Sequence, residues 1–173
     1  MVVWIIGLSG AGKTTLAEAV VSEVRKSDKN AILIDGDMVR EVFGNDLGHT
    51  MKDRRTNADR ICRLGKLLDD QGINVVCAIL SLFPESRSWN RNNLNDYFEV
   101  FIDTPLQDLL RRDPKGIYKK FQNGETSDVA GMDIEFLRPS NADLVIKNAS
   151  SKAELLGFAR SIAGEITGAP SDV

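Results

Sequence analysis

Short apolar runs alternate along the chain with longer segments whose apolar positions recur at helical spacing. The first run, Val2 to Ile6, is mostly β-branched and predicts a short buried strand. Leu16, Ala17, Ala19, Val20, Val21 and Val24 then mark one face of a helix that should end near Ser27-Asp28-Lys29-Asn30. Ala31-Ile32-Leu33-Ile34 predicts a second buried strand, closed by Asp35-Gly36-Asp37. Residues 44–50 form a polar loop. After it, Ile61, Leu64, Leu67 and Leu68 set one face of a helix from Lys52 to Gln71. Residues 73–80 predict a third strand, broken by Ser81-Leu82-Phe83-Pro84, and residues 85–94 a short helix. Tyr97 to Asp103 predicts a fourth strand, and Thr104-Pro105 starts a helix that stops at Pro114. Residues 143–147 restore an apolar strand. Leu155, Leu156, Phe158, Ala159 and Ile162 form a last amphipathic face, leaving residues 168–173 as a frayed tail. The alternation predicts an α/β fold, a parallel sheet with helices on both faces.

Residues 114–141 break the alternation. Lys115, Lys119 and Lys120 surround Gly116-Ile117-Tyr118, and Gly124, Gly131 and Pro139 interrupt the remainder of the stretch. It is too long and polar for a core connection, so a mobile, lid-like cover is expected there.

Between the first strand and first helix lies Gly7-Leu8-Ser9-Gly10-Ala11-Gly12-Lys13-Thr14-Thr15. It fits the phosphate-binding pattern Gly-x-x-x-x-Gly-Lys-Thr at every fixed position and sits in the strand–turn–helix context that pattern requires. The glycines let successive N–H groups turn inward as an anion nest, and the helix adds its positive N-terminus. Lys13 can reach the β- and γ-phosphates, and the Thr14 hydroxyl is placed to ligate Mg²⁺. The expectation is a bound nucleoside triphosphate, not a glycine-rich connection that binds nothing.

Length and charge narrow the rest. The 173 residues fit one domain over the whole of 1–173, and the net charge of −3 argues against a general nucleic-acid binder. Cys62 and Cys77 lie inside apolar segments and read as core residues of a reducing compartment, with no metal-ligand spacing. The chain enters its first strand at once and has no apolar run of membrane-spanning length, so a cytoplasmic protein without signal peptide or membrane partner is expected.

Asp35 and Asp37 fall at the carboxyl end of a parallel strand, the ligand edge of an open α/β sheet. Asp35 could orient Mg²⁺ or take a proton from an attacking hydroxyl. Helix capping explains one such aspartate easily, and two flanking a glycine less well. Arg40 lies on the next turn, and Arg54, Arg55, Asn57 and Arg60 crowd the first half of the long helix. A solvated basic face is the ordinary explanation for them; near a phosphate site, arginines offer a two-pronged donor to an anion. His49, the only histidine, reads as a loop residue with no acid–base role.

These motifs together resemble the adenylylsulfate (APS) kinases, which transfer the γ-phosphoryl of ATP to the 3′-hydroxyl of APS. The resemblance covers nearly the whole chain. Beyond the phosphate loop it rests on Asp35-Gly36-Asp37-x-Val39-Arg40, Asp53-Arg54-x-x-Asn57-x-x-Arg60 and Glu99-Val100-Phe101-Ile102-Asp103-Thr104-Pro105-Leu106. Most specific is Arg112-Asp113-Pro114-Lys115-Gly116-Ile117-Tyr118-Lys119-Lys120, which general phosphate-loop enzymes lack. It implies a three-layer kinase fold with a five-stranded parallel sheet, commonly a homodimer, using ATP and Mg²⁺. Carried over by position, Gly7, Ser9, Gly10, Ala11, Gly12, Lys13, Thr14, Thr15 and Arg112 would hold the donor, with Thr14 and Asp35 on the metal. Lys13, Asp35 and Lys115 would serve catalysis. Asp37, Arg40, Arg54, Asn57 and Lys115 would bind the nucleotide acceptor. Ser81 matches a serine often described as phosphoserine in bacterial members, but direct transfer needs no covalent stop and no base stands beside it. Ser81 and Leu80 are therefore expected to line the site.

Three departures concern the acceptor. The family's Ile-Ser-Pro is Leu80-Ser81-Leu82 here, its Leu-Gly-Phe is Leu47-Gly48-His49, and its Phe-Thr-Gly-Ile-Asp is Val129-Ala130-Gly131-Met132-Asp133. The replaced phenylalanines sandwich the adenine of APS in family members, and stacking a base on aromatics contributes roughly 1–3 kcal/mol. The motifs favour APS as acceptor. The pocket substitutions favour a nucleotide with a smaller base, notably cytidine diphosphoramidate in capsule polysaccharide biosynthesis. A GTP-dependent switch is a third class, but its Asn-Lys-x-Asp signature is missing. A nucleotide-binding module without catalysis is opposed by Lys13, Thr14, Asp35 and Arg54.

Overall fold

The computed structural model describes residues 1–147 and 151–168. The predicted tail lies outside the described residues except for Gly168, which caps the last helix in a left-handed conformation. Among the described residues, five strands make one sheet: β1 (Val2–Ile6), β2 (Ala31–Asp35), β3 (Asn74–Ile79), β4 (Tyr97–Asp103) and β5 (Leu144–Lys147). All pairings are parallel, as the alternation and the family resemblance predicted, and the order is β2-β3-β1-β4-β5.

The helices are α1 (Lys13–Lys26), α2 (Gly36–Val42), α3 (Met51–Asp70), α4 (Pro84–Asn93), α5 (Leu106–Arg112), α6 (Ile117–Gln122) and α7 (Lys152–Thr167). None is long and apolar enough to cross a membrane. Central β1 is buried along its whole length, and its side chains alternate between two cores. Val3 and Ile5 pack with Leu16, Val20 and Val24 of α1 and with Leu155 and Ile162 of α7. Val2, Trp4 and Ile6 face Val39, Ile61, Cys62 and Leu94 on the other side. Cys62 and Cys77 are core residues as expected, and burial raises both thiol pKa values, that of Cys62 to about 12. Neither is a ready nucleophile.

Three sequence expectations need correction. The run 31–34 is an edge strand, with Ile32 37% exposed, because only β3 flanks it. Leu67 is 55% exposed: it belongs to the helical pattern, but its position on α3 has turned past the sheet. Residues 114–141 are not a wholly peripheral cover. They contain α6, and they bury Tyr118, Val129 and Ala130 against the cores. The signal for α6 was a left-handed Gly116 preceded by Asp113, whose carboxylate accepts the amides of Tyr118 and Lys119 at 3.3 and 2.9 Å.

The chain moves from β1 outward to β2, returns through β3 and crosses β1 to reach β4. A crevice therefore opens over the carboxyl ends of β1, β2 and β3.

Candidate active site

That crevice is a cavity of about 760 Å³. On one side it is bounded by the loop between β1 and α1. The Ala11 amide donates to Leu8 O at 3.2 Å, whereas those of Gly10, Gly12 and Lys13 meet no backbone acceptor among the described residues. Gly12 stands at φ 96° as N-cap of α1, a helix start without a side-chain cap. Bare amides and a bare helix start on one cavity wall make an anion cradle.

Lys13 Nζ donates to Leu8 O at 2.9 Å and is partly covered by the loop. Burial lowers its pKa to about 8, with Asp35 opposing the shift and Lys115 adding to it. The free loop thus holds an ammonium that is short of counter-charge.

Opposite the loop, Asp35 ends β2 and caps α2. Its Oδ1 accepts the Asp37 amide at 2.9 Å, while its Oδ2 accepts the Thr14 hydroxyl at 2.8 Å. One side chain thus caps α2 with one oxygen and holds the Thr14 hydroxyl with the other. Lys115 Nζ reaches across the cavity to Asp37 Oδ2 at 2.8 Å. Burial alone would raise the Asp37 pKa, but the bond and charge of Lys115, with Arg40, hold it below the usual carboxylate range. The same bond raises the Lys115 pKa.

Leu80, Leu82, Val129 and Ala130 give the cavity apolar lining, and His49 lines it as well. Arg54 spans the two substituted positions: Nε donates to His49 O at 2.7 Å and Nη2 to Asp128 O, next to Val129, at 2.8 Å. The Asp133 carboxylate also accepts the Asp128 and Val129 amides. Burial and the neighbouring Arg40 and Arg54 charges lower the His49 pKa, so a neutral ring faces the cavity near pH 7. Asn57 is 3% exposed; its Nδ2 donates to Gly36 O at 3.1 Å, and its Oδ1 has no partner. Among the described residues nothing satisfies this buried amide oxygen, which calls for a donor from water or a ligand.

Most of the residues singled out in the sequence line this one cavity: Ser9, Gly10, Gly12, Lys13, Thr14, Thr15, Asp35, Asp37, Arg40, His49, Arg54, Asn57, Leu80, Ser81, Lys115 and Val129. Gly7 and Ala11 do not. Gly7 backs onto the Ile102 carbonyl, where a Cβ would stand 3.1 Å away, and Ala11 is buried in the core. Arg112 is exposed at the end of α5, outside the cavity lining. Arg55 and Arg60 are turned to Glu85 and Asp46 respectively.

Sequence reasoning missed Arg87 and Trp4, which fix Ser81. Buried Arg87 donates to Ser81 O at 2.9 Å, and Trp4 Nε1 to Ser81 Oγ at 3.3 Å. Arg87 lies only six residues on, at the helix that follows Ser81, whereas Trp4 is 77 positions away and meets Ser81 only through the fold.

Comparison with known proteins gives this geometry its family. The model for adenylylsulphate kinase matches residues 1–147. The chain belongs to the adenylylsulphate kinase family. It is 40% identical over 151 residues to the cytidine diphosphoramidate kinase of Campylobacter jejuni, covering 86% of each chain. It is 36% identical to the adenylyl-sulfate kinase of Pseudomonas aeruginosa, covering 89% of this chain and 80% of that one. Its fold matches a solved Mycobacterium tuberculosis APS kinase, in complex with AMPPNP and APS, with a TM-score of 0.83. Identity there is 37%, over 96% of this chain and 95% of that one. This member of the adenylylsulphate kinase family is a kinase, with ATP as the phosphoryl donor.

The loop pattern predicts that ATP sets its phosphates beside the Lys13 ammonium. The pKa of about 8 should then rise on binding, so that the complex takes up protons. At pH 8 the uptake should approach about half a proton per site, fading towards pH 6. Calorimetric titrations in two buffers of different ionisation enthalpy measure it; equal enthalpies at pH 8 would refute this account of Lys13.

Proposed function

We propose that the enzyme transfers the γ-phosphoryl of ATP to the ribose 3′-hydroxyl of cytidine diphosphoramidate. The carrying observation is that His49 and Val129 line the cavity at positions where the family resemblance expects two phenylalanines. A neutral imidazole and an isopropyl group leave a purine without its aromatic sandwich, whereas a pyrimidine needs less stacking surface. The Campylobacter relative, named for this acceptor, supports the reading. APS is the second reading, favoured by the family model and the likeness to the mycobacterial enzyme.

Either acceptor is served by in-line transfer, in which positioning and charge neutralisation supply most of the catalysis. The loop amides and Lys13 hold the donor's phosphates. Asp35 orients the acceptor hydroxyl or takes its proton. Arg40 and Arg54 face the acceptor's anionic chain, and Lys115 exchanges Asp37 for phosphate oxygens.

The residues present fit Mg²⁺. Thr14 and Asp35 bring a hydroxyl and a carboxylate oxygen together, hard donors suited to this ion, and would hold it. Mg²⁺ is commonly held by one or two protein oxygens together with substrate phosphates and water, which this pair suits. When bound, Mg²⁺ neutralises charge on the β- and γ-phosphates. A cytoplasmic homodimer completes the proposal, on the family resemblance.

The test is incubation with Mg²⁺-ATP and each acceptor, with products followed by phosphorus NMR. A phosphomonoester formed faster on cytidine diphosphoramidate supports the proposal; preferential turnover of APS overturns it. His49→Phe with Val129→Phe should then raise APS turnover about 10-fold, as expected from restoring stacking of roughly 1–3 kcal/mol. A folded double variant with no gain would count against the wall argument.

A further inference from the structure

Ser9 and Gly10 form the outer bend of the phosphate loop, and the chain segment after α5 lies behind them. The Tyr118 hydroxyl, on the first turn of α6, donates to Ser9 O at 3.0 Å. Its ring is 1% exposed in the core shared with α1 and α7. Pro114 presses on the next residue, its Cδ only 3.3 Å from where a Gly10 Cβ would stand. Burial pushes the Tyr118 pKa up to about 12, so the phenol is a proton donor throughout the neutral range.

The peptide plane converts this contact into a direction. No cis peptide occurs among the described residues, so the Ser9 carbonyl and the Gly10 N–H point opposite ways. Ser9 and Gly10 line the cavity and Tyr118 does not. Holding the carbonyl on Tyr118 therefore turns the Gly10 N–H towards the cavity, where it meets no backbone acceptor. Gly10 sits at φ 78°, a conformation that leaves this peptide free to rotate unless something holds it.

We propose that Tyr118 is a positioning residue for the phosphoryl donor: its hydroxyl holds the Ser9 carbonyl out of the cavity and so aims the Gly10 amide at the donor's phosphates. The same short segment presents Lys115 to the cavity. The inference concerns the donor alone and stands for either acceptor.

Tyr118→Phe tests it, because the ring packing is kept and only the hydroxyl is lost. MgATP should bind about 5–10-fold more weakly, the effect of losing one buried hydrogen bond, with acceptor affinity within about twofold and Tm within about 3 °C of the parent. In the ligand-free ¹H–¹⁵N spectrum the Gly10 amide resonance should move or broaden as its peptide gains freedom. Unchanged MgATP affinity with an unmoved Gly10 resonance would overturn the proposal. So would equal losses of donor and acceptor affinity with a large fall in Tm, which would make Tyr118 a packing residue only.

Discussion

Replacing Lys13 with alanine is expected to lower kcat at least about 10³-fold while leaving the ligand-free protein as heat-stable as the parent, or more so. The two halves share one cause. In the free protein Lys13 is desolvated with a single carbonyl partner, and its pKa falls from 10.5 to about 8. A group whose folded pKa is depressed in this way opposes folding while it carries charge. That penalty is full below pH 8 and is relieved as pH rises towards 10.5. Removing the ammonium removes the penalty, so stability at pH 7 should not fall. Turnover should collapse, because charge on the transferring phosphoryl group then lacks its nearest fixed cation. ADP release with saturating acceptor measures the first effect and differential scanning fluorimetry at pH 7 the second. Near-parental turnover would remove Lys13 from the mechanism.

Asp35→Asn should lower kcat about 10²–10⁴-fold, the range for loss of a positioned proton acceptor, with Tm changed by only a few degrees. Asparagine caps a helix as well as aspartate, so the bond to the Asp37 amide survives and α2 keeps its start. The other oxygen becomes an amide NH2, so the Thr14 hydroxyl loses its acceptor there and can only accept from the new donor. What disappears is the negative charge at the carboxyl end of β2. Steady-state kinetics across a range of Mg²⁺ then separates two ways of using that charge. Rescue at high Mg²⁺ marks Asp35 as a metal ligand; a kcat that stays low marks it as the group that handles the hydroxyl proton. A kcat unchanged beside a weaker KM would reassign Asp35 to binding.

The sequence was most legible where chemistry and local structure share the same residues. Strand, phosphate loop and α1 are continuous in the chain, and Gly7, Gly12, Lys13 and Thr14, the fixed positions of the pattern, each have a local reason to be what they are. Asp35 was legible for the same reason, standing where a strand ends and a helix begins. Residues 114–141 were harder because their packing partners are remote. Tyr118 looks like one polar-flanked aromatic until the fold sets it beneath Ser9, more than a hundred positions earlier. The arginines of α3 show a second limit. Arg54, Arg55 and Arg60 look alike in a helical pattern, yet Arg54 joins the two cavity walls while Arg55 and Arg60 close surface ion pairs with Glu85 and Asp46. Only the partners distinguish them, and those come from other elements.

The match to the family model stops at residue 147, before α7 begins. Yet a Leu155 methyl from that helix occupies the space beside Gly12, 2.5 Å from where any side chain there would start. The loop between β1 and α1 is thus backed by a part of the chain that carries none of its signature. Protein shortened to the recognisable region would keep every motif and lose the backing that gives the glycine its place.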